Sequence, residues 1–199
     1  MLLSRFAAIA TIAALTPIAA AVASTPAAQK PPSATQIRAA IDKAKVSPNM
    51  WATVNICDTA QHPDQLGIRG QVPGLGFKTH VFMTIDVQYY VAAAGRFEDS
   101  GASQLVDLGT LTKGVQQAGY TFPFKAPAQG QSYNLRGAIT VRWKIGSKTV
   151  GSAVVHTKHG YPNVRFGDPP GYSAGTCSIP NSATSTPPAG TATTPAAAR

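Results

Sequence analysis

Two cysteines are the residues of this chain with the clearest capacity for covalent chemistry. Cys57 ends the first predicted strand of a β domain, and Cys177 lies in the last. Residues 1–23 have the form of an export leader, and in an oxidising compartment two such cysteines pair rather than remain thiols. The sequence therefore predicts a Cys57–Cys177 disulfide, worth ~4 to 5 kcal/mol through the lost entropy of the unfolded chain.

A free Cys177 would instead permit nucleophilic catalysis. His159-Gly160, followed by the run from Ser173 to Cys177, resembles the signature of L,D-transpeptidases, exported enzymes whose cysteine thiolate attacks peptidoglycan stem peptides with histidine as base. The chain departs from that signature, because one extra residue separates the glycine from Cys177 and Ser178 follows where an arginine is expected. A cysteine-dependent wall enzyme using Cys177 and His159 is the catalytic alternative, and a disulfide would remove its nucleophile.

A second catalytic motif, G-x-S-x-G, spans Gly171 to Gly175. In α/β-hydrolases this motif places the serine on a strand-to-helix turn, and an acid and a histidine follow later in the chain. No acid or histidine follows Ser173. We interpret the motif as a glycine-rich entry to the last strand and predict no catalytic residue.

Candidate metal ligands are few. Asp58, His62 and Asp64 share one loop and could bind a cation, but loops commonly collect polar residues of this kind. His156 and His159 are three residues apart, which on a strand places them on opposite faces. The sequence predicts no metal site and no cofactor.

The charge of the chain favours anionic partners. Lys and Arg number 17 against 8 Asp and Glu, a net charge of +9. The basic residues are scattered, so we expect no specific nucleic-acid site. Arg136, Arg142 and Lys144 alternate with apolar residues along one predicted strand, and we name this outward row the cationic strip. It is a candidate site for anionic ligands such as cell-wall polymer; another envelope protein is the other partner considered.

Alternating aromatic residues allow a third function. Tyr120, Phe122 and Phe124 occupy every second position of one segment. Exposed aromatic side chains on a sheet face can stack on sugars, although core packing explains most aromatic residues at this period. A glycan-binding β-sandwich is therefore a further alternative.

The elements that must position these residues are almost all strands. One helix is predicted over Ser33 to Val46, with Ser33 as its cap and Gln36 completing a capping box. Strict alternation of apolar and polar residues predicts half-buried strands over Lys78–Val91 and Leu135–Ile145. Further strands are predicted over Met50–Cys57, Leu66–Val72, Gln104–Leu111, Tyr120–Lys125, Lys148–Thr157 and Tyr172–Ile179.

These strands, with no helices between them, predict an all-β fold. Our first choice is an immunoglobulin-like antiparallel β-sandwich with a short N-terminal helix. A jelly roll or an open barrel remains open, because alternation does not encode pairing order. Gly146-Ser147 is the expected hairpin turn between two of the strands.

The chain divides into a leader, a domain and a tail. Residues 1–23 form the expected signal peptide, with a small-x-small cleavage site at Ala21-Val22-Ala23; an uncleaved membrane anchor is the alternative. Residues 24–32 are an expected disordered linker, 33–179 the β-sandwich domain and 180–199 a disordered Pro/Thr/Ala-rich tail. We expect a secreted monomer without a membrane span after cleavage, extracellular or associated with the cell wall.

Several segments together resemble one set of proteins. These are Trp51 to Asp58, Ile68-Arg69-Gly70, Leu135-Arg136-Gly137 and Pro169 to Cys177. They are similar to segments of uncharacterised secreted single-disulfide β-domain proteins of actinobacterial type. The resemblance implies an exported β domain with one disulfide, and no activity, cofactor or catalytic residue. The sequence as a whole favours a noncatalytic binding or structural module.

Overall fold

One helix and eight strands form residues 30–181, the part of the chain that the computed structural model describes. The predicted leader, most of the predicted linker and nearly all of the predicted tail lie outside these residues. The chain divides into two units after Pro31, and the elements below all belong to the second. Their bounds are α1 Ala34–Lys45, β1 Trp51–Cys57, β2 Gln65–Pro73, β3 Thr79–Val91, β4 Arg96–Leu111, β5 Val115–Pro123, β6 Ser132–Ile145, β7 Lys148–His156 and β8 Cys177–Pro180.

The strands form two antiparallel sheets. The smaller sheet has the order β1-β2-β5, and the larger has the order β4-β3-β6-β7, with β8 also paired to β6. After the β3–β4 hairpin the chain crosses to the smaller sheet for β5 and returns for β6. This Greek-key order is that of an immunoglobulin-like sandwich, so the predicted fold class is confirmed.

Alternation along the central strands builds the core. Val81, Met83 and Ile85 are fully buried, and in register they face the equally buried Trp143, Val141 and Ile139 of β6. Val54, Ile68 and Val72 of the smaller sheet also belong to this core. Most intervening positions of β3 and β6 hold polar residues, so the larger sheet has one buried and one solvated face.

The helix packs against the sandwich through a narrow apolar face. The side chain of Ser33 accepts a hydrogen bond from the Gln36 amide, and the Gln36 side chain accepts one from the Ser33 amide. The predicted capping box is thus confirmed. Ile41 lies against Gly151 of β7, where an added Cβ would be 2.2 Å from the Ile41 Cδ1 atom. Glycine at this position lets the helix approach the strand closely.

A long connection between β7 and β8 covers the outer edge of β1. Isolated bridges join Ala52 to Thr157, Val54 to Ala174 and Ile56 to Asp168. Polar residues of β1 are buried beneath this connection, with Thr53 at 0% and Asn55 at 4% exposure. The connection therefore supplies the backbone hydrogen bonds that an edge strand would otherwise leave to water.

Three strands begin at least five residues from their predicted starts. β4 begins at Arg96 rather than Gln104, because residues 96–99 pair with the exposed end of β3, where neither face is buried enough to impose alternation. β5 begins at Val115 rather than Tyr120 and pairs with β2 along its full length. β8 has only four residues, since the chain before Cys177 runs across β1 instead of along β6.

The Gly146-Ser147 hairpin is confirmed by the pairing of Ile145 with Lys148, and Gly146 has a φ of 60°. Among the described residues, no helix is long and apolar enough to cross a membrane.

Candidate anionic-ligand surface

The two cysteines are bonded to each other. Cys57 at the end of β1 and Cys177 at the start of β8 form a disulfide, with their Cα atoms 5.5 Å apart. Cys177 is fully buried, whereas the histidine proposed as its base, His159, lies on the exposed surface. In this state Cys177 has no thiolate to act as a nucleophile.

The hydroxyl of Ser173, in the G-x-S-x-G motif, forms hydrogen bonds that hold two segments of the chain together. It is 2.8 Å from the Thr53 hydroxyl and accepts a hydrogen bond of 3.1 Å from the Tyr161 amide. No histidine contacts it through a hydrogen bond among the described residues. The motif lies in the loop before β8, where Ser173 ties that loop to β1.

The loop that carries Asp58, His62 and Asp64 does not assemble these side chains around a common point. Asp58 accepts a hydrogen bond from the Asp64 amide at 2.8 Å, while His62 Nδ1 lies 2.9 Å from the Asp168 carboxylate. Hydrogen bonds from Thr59 and then His62 lower the pKa of Asp168. Residues 30–181 contain no group of three side chains arranged to hold a metal ion. These contacts join the β1–β2 loop to the β7–β8 connection.

The cationic strip lies along the outer face of the larger sheet. Arg136, Arg142 and Lys144 are all on β6 at alternating positions, opposite the buried residues Leu135, Val141 and Trp143. At the usual rise of a strand the row spans roughly 27 Å. The structure therefore brings the three predicted residues to one face, as a line rather than a pocket.

Arg136 is held in place by two neighbours on the same face. Its Nε donates a hydrogen bond of 2.8 Å to the Gln88 side chain, and its guanidinium carbon lies 4.2 Å from the centre of the Phe97 ring. Burial lowers the pKa of Arg136, which remains a strong base. One nitrogen and one flat face of the group are thus engaged, and its terminal nitrogens make no hydrogen bond among the described residues.

The other two cations have similar support. Arg142 donates a hydrogen bond of 3.0 Å to the Thr84 hydroxyl. Lys144 lies over the Phe82 ring, with its nitrogen 5.0 Å from the ring centre, and Phe82 in turn stacks on His80. Aromatic rings beneath cations hold their position without neutralising them.

Two acidic side chains on this face form hydrogen bonds with residues outside the cationic strip. Asp86 accepts a hydrogen bond of 2.6 Å from Ser103, and Asp107 binds His80 at 2.6 Å and the Gly109 amide at 2.7 Å. None of the ion pairs within residues 30–181 includes a residue of the cationic strip. The strip therefore presents cationic groups without carboxylate partners in the described part of the chain.

His156 lies beside one end of the cationic strip. It lies on β7 opposite Ala138, beside Arg136. Burial, together with the charges of Arg136 and Lys158, lowers the pKa of His156. The neutral form of this histidine is therefore favoured.

The aromatic residues of the glycan hypothesis have mixed positions. Phe122 is buried and Tyr120 is 42% exposed, so the alternating row does not form a flat exposed platform. Trp51 and Trp143 are both buried. However, an apolar cleft of about 310 Å³ opens between the sheets, and Tyr89, Phe124 and Tyr133 are part of its lining.

Sequence reasoning missed the residues that support the strip. Gln88, Phe97 and Phe82 lie on β3 and β4, and only the register of the sheet places them beside the cations. Phe82 is an aromatic residue at an outward, mostly polar position in the alternating pattern of β3. This was the one feature of the sequence that could have indicated an aromatic ring beside the cations.

These features define an immunoglobulin-like β-sandwich with a row of cations on its outer face. The chain matches no protein-family model, and no curated protein matches it. Among solved structures it is similar to a glycosyl hydrolase family 2 member from Bacteroides cellulosilyticus, with 14% identity, a TM-score of 0.33, and coverage of 56% of this chain and 15% of that one. It is also similar to a protein assigned as a β-galactosidase from Bacteroides fragilis, with 17% identity, a TM-score of 0.30, and coverage of 58% and 17%. This chain thus spans a small part of either protein, and neither similarity bears on its activity.

Proposed function

We propose that this protein is a noncatalytic, exported module that binds anionic cell-wall polymers along the cationic strip. The observation that carries the proposal is that Arg136, Arg142 and Lys144 share one solvated sheet face and have no acidic partner among residues 30–181. A row of this kind suits an extended polyanion better than a small compact ligand. The charge excess of the chain would add long-range attraction to the same partners.

The contacts that hold the side chains of the cationic strip favour a role in binding over a role in solubility alone. Arg136 and Lys144 rest on aromatic rings, and Arg142 is bonded to a hydroxyl. Side chains held in this way lose less rotamer entropy on binding than free surface lysines do. The disulfide fits a location outside the cytoplasm, and an exported, wall-associated role is part of the proposal.

Titration with isolated wall teichoic acid, a phosphodiester polymer, tests this function. We expect salt-sensitive binding, weakened at least tenfold in the R136Q/R142Q/K144Q variant. The matched control is K43Q/K113Q/K125Q, which removes the same charge from exposed positions outside this face. Absence of binding at low salt, or an equal loss in both variants, would contradict the proposal.

A glycan-binding function is the second candidate, and the apolar cleft favours it. Tyr89 and Tyr133 are 39% and 36% exposed and line the cleft together with Phe124. A neutral polysaccharide such as galactan would then bind independently of salt, and the Y133A variant would bind it more weakly. An unchanged affinity for galactan in Y133A would show that the cleft is not the binding site.

A further inference from the structure

A further cation without an acidic partner lies on the smaller sheet. Arg69 is on β2 of the smaller sheet, whereas the cationic strip lies on the outer face of the larger sheet. Its side chain is partly buried, and its Nε atom is shielded from solvent without a hydrogen-bond partner. No acidic side chain of residues 30–181 forms an ion pair with it. A partly buried guanidinium without a counter-ion is costly, so the position invites an anion.

Phe166 covers this arginine in an unusual conformation. The Phe166 ring centre lies 4.7 Å from the Arg69 guanidinium carbon. Its backbone φ is 56°, in the left-handed region that a bulky residue rarely adopts, and the side chain is 77% exposed. The chain therefore accepts backbone strain to hold an exposed aromatic ring over a cation, and such strain is characteristic of functional sites.

The strained segment is fixed by side chains of the sheet below. Asn55, which is buried, donates a hydrogen bond of 2.7 Å to the Phe166 carbonyl. Gln117 accepts one of 3.3 Å from the Arg165 amide and donates one of 2.9 Å to the Asn163 carbonyl. The backbone that carries Arg165 and Phe166 is thus held in place before any ligand arrives, as a binding site requires.

A small pocket adjoins these groups. Its volume is about 190 Å³, and its lining includes Arg69, Phe166, Gly119 and Thr121. Gly119 brings β5 close to β2 here, since an added Cβ would be 2.5 Å from the Ile68 carbonyl oxygen. Burial, and then the charge of the nearby Arg165, lower the pKa of Arg69, as expected where two cations share a site without an anion.

We propose that Arg69, Arg165 and Phe166 form a binding site for the oxyanion group, carboxylate or phosphate, of a small ligand seated in this pocket. The planar guanidinium of Arg69 offers its terminal nitrogens to two oxygens of the group, and Arg165 adds the second charge. Thr121 supplies a hydroxyl at the pocket wall, and the Phe166 ring limits the access of water. The site is separate from the cationic strip and does not depend on its function.

Titration of the full chain, followed by NMR at the arginine Nε–H signals, tests this site. The probes are inorganic phosphate, glucose 6-phosphate and glucuronate, with glucose as the neutral control. We expect the Arg69 signal to shift with at least one anion and not with glucose. A shift of the Arg69 signal that saturates with the two phosphates alone would define a phosphate site. A shift that saturates with glucuronate alone would define a carboxylate site. No shift of the signal with any anion would overturn the proposal.

Variants separate this site from its neighbours. R165Q changes an exposed residue, so the fold should persist while anion affinity falls about tenfold. Glycine suits the left-handed backbone at this position, so F166G should keep or raise the melting temperature. The variant should bind the anion more weakly, because the ring over Arg69 is lost. The R136Q/R142Q/K144Q variant, which changes only the cationic strip, should leave the anion affinity of the Arg69 site unchanged. Affinities that are equal in the wild type, R165Q and F166G would show that the anion binds elsewhere and would overturn the proposal.

Discussion

Cys57 and Cys177 are bonded across the two sheets of the sandwich. Cys57 ends β1 of the smaller sheet, and Cys177 begins β8, which pairs with β6 of the larger one. The two residues are separated by 120 positions in sequence, so the bond closes nearly the whole domain. The same bond occupies the sulfur that the wall-enzyme hypothesis requires.

Removal of this bond should lower stability strongly. For the double variant C57A/C177A we expect a loss of about 5 kcal/mol in the free energy of unfolding, because a loop of this length restricts the unfolded chain. Urea denaturation followed by tryptophan fluorescence measures it, since Trp51 and Trp143 are both buried. An unchanged midpoint would contradict this account.

Thiol counting on the native protein should find no free thiol, and one reactive thiol at Cys177 would restore the enzyme hypothesis.

Phe97 should affect binding through Arg136 alone. Replacement by leucine keeps the charge of the strip but removes the ring that lies 4.2 Å from the guanidinium carbon. A cation–π contact at an exposed site is worth about 0.5 to 1 kcal/mol, so affinity for teichoic acid should fall about two- to fivefold in F97L. In the R136Q background the same change should have no further effect, and full additivity of the two changes would contradict this coupling.

Asp168 should make the domain sensitive to acid. Hydrogen bonds from Thr59 and His62 hold the pKa of Asp168 below its ordinary value. Its contribution to stability is therefore fully present above about pH 4, the ordinary aspartate range, and is lost as the pH falls through the lowered pKa. Urea midpoints measured from pH 6 down to pH 2 should fall more steeply for the wild type than for D168N. The control D42N, on the exposed side of α1, should retain the slope of the wild type, and parallel curves for all three would contradict the prediction.

Asn55 should stabilise the β7–β8 connection from below. Its amide nitrogen donates to the Phe166 carbonyl, and its side chain is 4% exposed. Loss of a buried hydrogen bond costs about 1 to 3 kcal/mol, so N55A should reduce the unfolding free energy by that amount. Hydrogen exchange should show faster opening of residues 163–168. N134A, at an exposed position of β6, is the control and should change neither quantity.

Much of the fold could be predicted because its signals are local. The capping box of Ser33 and Gln36 spans three residues, and the inward positions of β3 and β6 follow directly from alternation. The boundaries failed where burial is weak, as at Arg96 to Asp99, because a segment with solvent on both faces has no apolar period to detect.

The candidate sites were predictable only in part. That Arg136, Arg142 and Lys144 share a face follows from their spacing on one strand. Their supporting residues could not be derived, since Gln88 lies 48 positions from Arg136 and becomes its neighbour only through the register of β3 on β6.

The sequence by itself determined the strands, the capped helix, the charge of one sheet face and the availability of two cysteines for pairing, because each depends on residue type and short spacing. The tertiary structure alone decided which cations are supported, that Ser173 bonds to Thr53, and that Phe166 lies over Arg69. These contacts join segments far apart in the chain. Sheet pairing and the path of the β7–β8 connection create them, and both arise from the cooperative burial of the whole core rather than from any local pattern.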